Sequence, residues 1–236
     1  MSAKAAGRSR ARRKLSAQDV QASLAENGAV SPFYLLHGEE EYGRLQLYTW
    51  LVERLQPPVA AEFNVDTFHA DTLEPQRLLD IYFSYPMMAP QRLVVLKGVD
   101  KLSPAHTKAL EPLVEQTAET SVVLVAGSKI DMRRRLFAQM AKLGQAVEFK
   151  IPYDDKLPEA IAAIARDKEL QIRPEAIDLL CMYMGPRHLQ EVAHELDKLS
   201  IYAGAGETIE ADHVRQTSGS GRNASIFDLT DAVGNG

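Results

Sequence analysis

Gly38, Glu39, Glu40, Glu41, Tyr42, Gly43, Arg44 and Leu45 have the spacing of a phosphate-binding loop, two glycines separated by four residues. A loop that handles a nucleoside triphosphate follows its second glycine with Lys and then Ser or Thr. The lysine reaches the terminal phosphates and the hydroxyl holds magnesium. Here Arg44 and Leu45 occupy those positions, so the magnesium ligand is gone. Three glutamates fill the cradle that would receive the phosphates. Carboxylates at a helix N-terminus stabilise it by about 0.3–1 kcal/mol each, so they satisfy the helix with the protein's own anions and repel a triphosphate. The acid that would hold magnesium from a neighbouring strand is missing as well. The apolar run Leu93 to Leu96 leads into Lys97 and Gly98, and Asp100 follows only later. These residues read as a nucleotide site whose chemistry has been dismantled, with no cofactor and no metal expected. An NTPase with an unorthodox site is the alternative.

Other catalytic arrangements fare no better. His194-Glu195 opens like a zinc-protease helix, but Lys198 stands where the second histidine is needed. His188 and His194, six apart, fall on different faces of a helix. Cys181 has no local histidine or cation to activate it and reads as a buried helical thiol. No serine sits in a Gly-x-Ser-x-Gly elbow. The sequence presents no catalytic site.

The elements that must hold the loop alternate. Phe33 to Leu36 reads as a strand ending at Gly38, and Tyr42 to Leu55 as a helix closed by Pro57 and Pro58. A strand over Phe63 to Phe68, a helix over Glu74 to Ser84 and a strand over Leu93 to Leu96 follow. Next come a helix from Pro104 to about Gln116, a strand over Val122 to Val125, a helix over Met132 to Leu143 and a strand over Ala146 to Phe149. Continuous apolar strands suit a parallel sheet covered on both faces. Five strands with intervening helices make a doubly wound α/β domain. After Pro152 only helices are predicted: Leu157 to Glu169, Arg173 to Tyr183, Arg187 to Tyr202 and Glu210 to Gln216. The organisation expected is a basic tail and lead-in over 1–30, an α/β domain over 31–151 and a helical domain over 152–218. Residues 219–236 read as a linker and an interrupted helix, the start of a truncated third domain.

The 236 residues are 45% hydrophobic and 25% charged, an ordinary globular balance. No apolar run approaches the roughly 18–20 residues that span a bilayer, and one cysteine permits no internal disulfide, so a cytoplasmic protein with no membrane partner is expected. The net charge of −5 hides an asymmetry. Lys4, Arg8, Arg10, Arg12, Arg13 and Lys14 lie in the first fourteen residues with no acid; the remainder sets 21 basic against 32 acidic residues, a balance of −11. Such a body is not drawn onto DNA by its overall field. A DNA-binding module led by the basic tail is the remaining alternative; a solvated tail is the simpler reading.

Five stretches, in order, resemble the delta-subunit family of bacterial DNA polymerase III clamp loaders. They are Tyr34 to Glu40, Arg92 to Leu96, Lys129 to Arg135, Leu189 to Leu199 and Ser225 to Leu229. The resemblance implies a RecA-like AAA+ domain of five parallel strands, a helical lid and a C-terminal collar that this chain mostly lacks. It implies a protein that binds and opens the beta sliding clamp during DNA replication without hydrolysing ATP itself. Its partners would be the clamp, the gamma/tau and delta prime subunits, and DNA within the assembled loader. The family's hydrophobic plug corresponds to Ser84 to Arg92, with Tyr85, Pro86, Met87 and Met88 as the clamp-binding residues. The family commonly places Leu-Phe or Phe-Phe where this chain has Met87-Met88, a mild departure, because methionine is flexible and polarizable. Packing of both methionines in the domain's own core is the competing reading. Arg133, Arg134 and Arg135 are read as a solvated helix start or a contact to a neighbouring subunit or DNA.

Overall fold

A computed structural model describes residues 15–28, 30–186, 189–204 and 206–218. The chain divides into two compact units. The first holds the described residues up to Gly38 together with Leu47–Glu148; the second holds Glu39–Gln46 and the described residues from Phe149 onward.

The first unit begins with helix α1 (Ala17–Asn27), which the sequence reading had merged into the lead-in. Its signal was present in the residues. Ser16 accepts from the Asp19 N–H while the Asp19 carboxylate accepts from the Ser16 N–H, a reciprocal capping box. Five strands follow: β1 (Phe33–His37), β2 (Val65–His69), β3 (Arg92–Lys97), β4 (Ser121–Gly127) and β5 (Gln145–Glu148). They form one sheet in the order β2-β3-β4-β1-β5, parallel throughout. The central strands β1, β3 and β4 are buried almost end to end, whereas the edge strands are only partly covered. This explains why the central strands are unbroken apolar runs and the edge strands are not.

Between the strands lie α2 (Glu41–Leu55), α3 (Ala61–Asn64), α4 (Pro75–Phe83), α5 (Pro104–Ala109), α6 (Pro112–Glu115) and α7 (Arg135–Leu143). Leu78 and Tyr82 of α4 and Phe137 and Met140 of α7 join Leu35, Val94 and Val123 in one core. Burying each such side chain contributes about 1.5–3 kcal/mol. Three expectations are corrected. The single helix predicted from Pro104 is two, because Pro112 has no N–H to donate and its ring crowds the preceding turn. The helix predicted from Met132 starts at Arg135, because Asp131 holds the Arg133 and Arg134 N–H groups in a turn first. The strand predicted from Phe63 starts at Val65, the preceding residues forming the short helix α3.

The second unit packs α8 (Leu157–Asp167), α9 (Pro174–Met184), α10 (Leu189–Ala203) and α11 (Ala211–Ser218) around Ile161, Leu180, Val192, Leu196 and Val214. Pro158 and Pro174 stand in first helical turns, where a missing N–H costs nothing. A one-residue parallel bridge, Ile172 to Ile209, ties the α8–α9 and α10–α11 connections and was not expected. Lys168 at the end of α8 pairs with Asp197 of α10 at 2.7 Å. Among the described residues no helix is long and apolar enough to cross a membrane.

Candidate functional site

The loop after β1 lies at the point where the strand order reverses, the place where open α/β sheets receive ligands. Gly38 has a φ of +124°, a conformation only glycine adopts without strain. The loop's own donors are occupied. Gly38 N–H donates to the Ser128 carbonyl at 3.1 Å, and Glu40 N–H to the Phe149 carbonyl at 3.2 Å. The Glu40 carboxylate accepts from Tyr42 N–H at 2.6 Å and from Gly43 N–H at 2.9 Å. Glu40 thus caps α2 with the anion that a phosphate would otherwise be. A Cβ on Gly43 would come within 2.7 Å of that carboxylate and 3.2 Å of the Phe149 ring, so the second glycine makes room for the cap. Burial pushes the Glu40 carboxyl above its ordinary value, and the two backbone N–H groups and the charge of Arg44 partly offset this. Leu45 is half-exposed and offers no metal ligand.

At the end of β3, where a magnesium-binding acid would stand, Lys97 lies over the Tyr48 ring, 4.7 Å from its centroid. Asp100 sits on a short 3₁₀ turn after Gly98 and faces solvent.

The segment between α4 and β3 is built the opposite way. Its side chains are open: Tyr85 is 87% exposed, Met87 53% and Met88 84%. The reading in which both methionines pack in the core is therefore corrected. The backbone beneath them is held. The fully buried Asn64 accepts from Met87 N–H and donates to Met87 C=O, both at 2.7 Å, and donates again to Ala60 C=O at 2.8 Å. Arg92, 8% exposed, pairs with Asp66 at 2.7 Å and donates to the carbonyls of Phe63 and Tyr85. The Gln91 amide donates to the Leu55 carbonyl at 2.7 Å. Met88 has a φ of +54°, a left-handed conformation uncommon for a residue with a side chain. Sequence reading found the exposed residues but missed Asn64; a carboxamide in an otherwise strand-like run, 23 positions before Met87, gave little to read.

A sequence model of the family described as DNA polymerase III, delta subunit, matches residues 34–150. The DNA polymerase III subunit delta of Bacillus subtilis is 24% identical over 227 residues, 92% of this chain. The chain belongs to the DNA polymerase III delta-subunit family. It spans 65% of the length of that relative. Among solved structures, the Bacillus subtilis DNA clamp loader delta protein (YqeN) matches with a TM-score of 0.60 and 23% identity, over 86% of this chain and 62% of that one. The Thermotoga maritima RuvB Holliday junction branch migration motor matches with a TM-score of 0.51 and 14% identity, over 85% and 65%. These likenesses show the fold, a RecA-like α/β unit followed by helices.

In this delta-family chain the three arginines before α7 separate. Arg134 turns inward, donating to Leu102 C=O at 3.1 Å and to the Thr107 hydroxyl at 2.9 Å. Arg135 bridges Glu111, just before α6, and Glu115 at its end, both at 2.8 Å. Arg133 is exposed and pairs with the nearby Asp131, whose carboxyl it holds below the ordinary value. His194 is exposed beside Gln190, and His188 lies outside the described residues. Burial pushes the Cys181 thiol up, away from the reactive thiolate. Among the described residues no cluster of three or more His, Cys, Asp or Glu side chains is placed to hold a metal. The basic tail and residues 219–236 also lie outside the described residues.

Proposed function

We propose that this chain is the clamp-binding part of a clamp-loader delta subunit, a cytoplasmic replication protein that opens the beta sliding clamp and does not hydrolyse ATP. The observation that carries this reading is the pair Met87-Met88, apolar and exposed on a backbone that is hydrogen-bonded from below. Burying each methionine in a partner's pocket would contribute about 1.5–3 kcal/mol. Because the backbone is already ordered, less of that gain is lost on binding. Tyr85 adds an amphipathic ring beside the pair, and Pro86 limits the segment's freedom. Opening follows from differential affinity: a plug that binds the open ring more tightly than the closed one shifts the equilibrium by that difference and no more.

Freedom from ATP hydrolysis is supported by the occupied loop and by Arg44, Leu45 and Lys97 at the catalytic positions. The gamma/tau and delta prime subunits, and DNA inside the loader, are proposed as further partners. Arg133, whose side chain is the most exposed of the arginine cluster's ion-paired members, is the proposed point of such a contact. Two measurements with the clamp of the same organism test the reading. The chain and clamp are expected to co-migrate in gel filtration. A dye pair across one clamp interface is expected to lose its mutual quenching when the chain is added. A folded chain that neither co-migrates nor changes the dye signal overturns the proposal.

A further inference from the structure

Asn64 is buried completely, yet it spends two of its three hydrogen bonds on the two backbone groups of a single distant residue, Met87. One carboxamide orientation alone fits: its oxygen must face the Met87 N–H, and its two N–H hydrogens must face the Met87 and Ala60 carbonyls. The amide therefore acts as a one-residue stand-in for a paired strand, attached to the end of α3 and the start of β2. The next residue, Met88, turns into the left-handed region and leaves its side chain 84% exposed. A non-glycine residue stays in that region only where its surroundings over-determine it. Asn64 on one side and Pro90 with Gln91, anchored to Leu55, on the other supply that determination.

We infer that Asn64 is the positioning residue of the clamp plug, fixing Met87 and imposing the turn at Met88 so that both methionines are presented in one pose before any partner arrives. The inference rests on the clamp-binding reading and deepens it. Asn64 does not touch the clamp. It lowers the ordering cost of binding, the usual route by which a preorganised loop gains affinity. Removing the amide frees the Met87 peptide and lets Met88 relax to an ordinary conformation, leaving both side chains present but unplaced.

The test is a double-mutant cycle on clamp binding by surface plasmon resonance, combined with backbone hydrogen exchange. Asn64→Ala is expected to weaken binding about tenfold and to abolish protection of the Met87 amide, with the Leu93 to Leu96 amides of β3 unchanged. In the Met87→Ala/Met88→Ala background the same substitution is expected to change binding by less than about twofold, because no plug remains to position. A general loss of structure would instead weaken both backgrounds alike and expose β3. If Asn64→Ala does not fold, the near-isosteric Asn64→Leu fills the same space with neither donor nor acceptor for Met87 and is expected to behave in the same way. Unchanged affinity in a folded Asn64 variant whose Met87 amide exchanges freely overturns the positioning role. Equal binding by wild type and the methionine double mutant overturns the clamp-plug reading itself, a distinct outcome.

Discussion

Two loops of this protein have been finished in opposite ways. In the loop after β1, the polar groups that would meet a ligand meet the chain itself: Glu40 takes the Tyr42 and Gly43 N–H groups, and neighbouring carbonyls take two more. In the segment before β3, the backbone is satisfied from within while Tyr85, Met87 and Met88 stay open. In one loop internal hydrogen bonds occupy the backbone donors. The other keeps its apolar side chains exposed by the same means, since a backbone that is already paired can hold them out in water.

Substitutions can break either half of this contrast. The largest effect is expected at Arg92, whose guanidinium is buried and joined to Asp66, Phe63 and Tyr85. Arg92→Ala strands a half-buried carboxylate and two carbonyls, and is expected to cost about 3 kcal/mol in urea unfolding. A cost under about 1 kcal/mol would show that the segment does not depend on this anchor. Gly38→Ala forces a side chain into the φ of +124° and is expected to cost about 1–3 kcal/mol. By contrast, Met87→Ala/Met88→Ala is expected to change stability by no more than about 0.5 kcal/mol, because neither side chain belongs to the core. A larger loss would return the pair to a packing role.

The loop after β1 has its own tests. Arg44→Lys/Leu45→Thr restores the residue types of a working phosphate loop, yet no saturable ATP binding at micromolar concentration is expected while Glu40 keeps its two N–H partners. Saturable binding by equilibrium dialysis would show that the cap yields. Finally, the Glu40 carboxyl is expected to titrate above its ordinary 4.5 in a carbon-detected NMR titration. With the folded value raised above the unfolded one, this group's contribution to stability is full below the unfolded pKa. It is lost as pH rises through the folded pKa. A midpoint at or below 4.5 would mean that the backbone donors outweigh burial.

Much of this was legible in the residues. Unbroken apolar runs at Phe33, Leu93 and Val122 marked the buried central strands, because both of their faces are covered. Arg44 and Leu45 gave the reading of a phosphate loop without its chemistry, and the Glu40 cap on Tyr42 and Gly43 is consistent with it. Helix ends were less legible where local turns intervene, as at Pro112 and Asp131. The exposure of Met87 and Met88 could not be read from their types, since methionine fills cores and interfaces alike. Asn64 was invisible for another reason: its partner lies 23 positions away, and only the fold brings the two together.

The most direct test of the central claim is surface plasmon resonance of the chain over the immobilised clamp of the same organism, wild type beside Met87→Ala/Met88→Ala. The account predicts saturable wild-type binding, weakened about tenfold or more in a double mutant that unfolds at the same urea concentration. Equal binding by the two proteins, or none by a folded wild type, would contradict it.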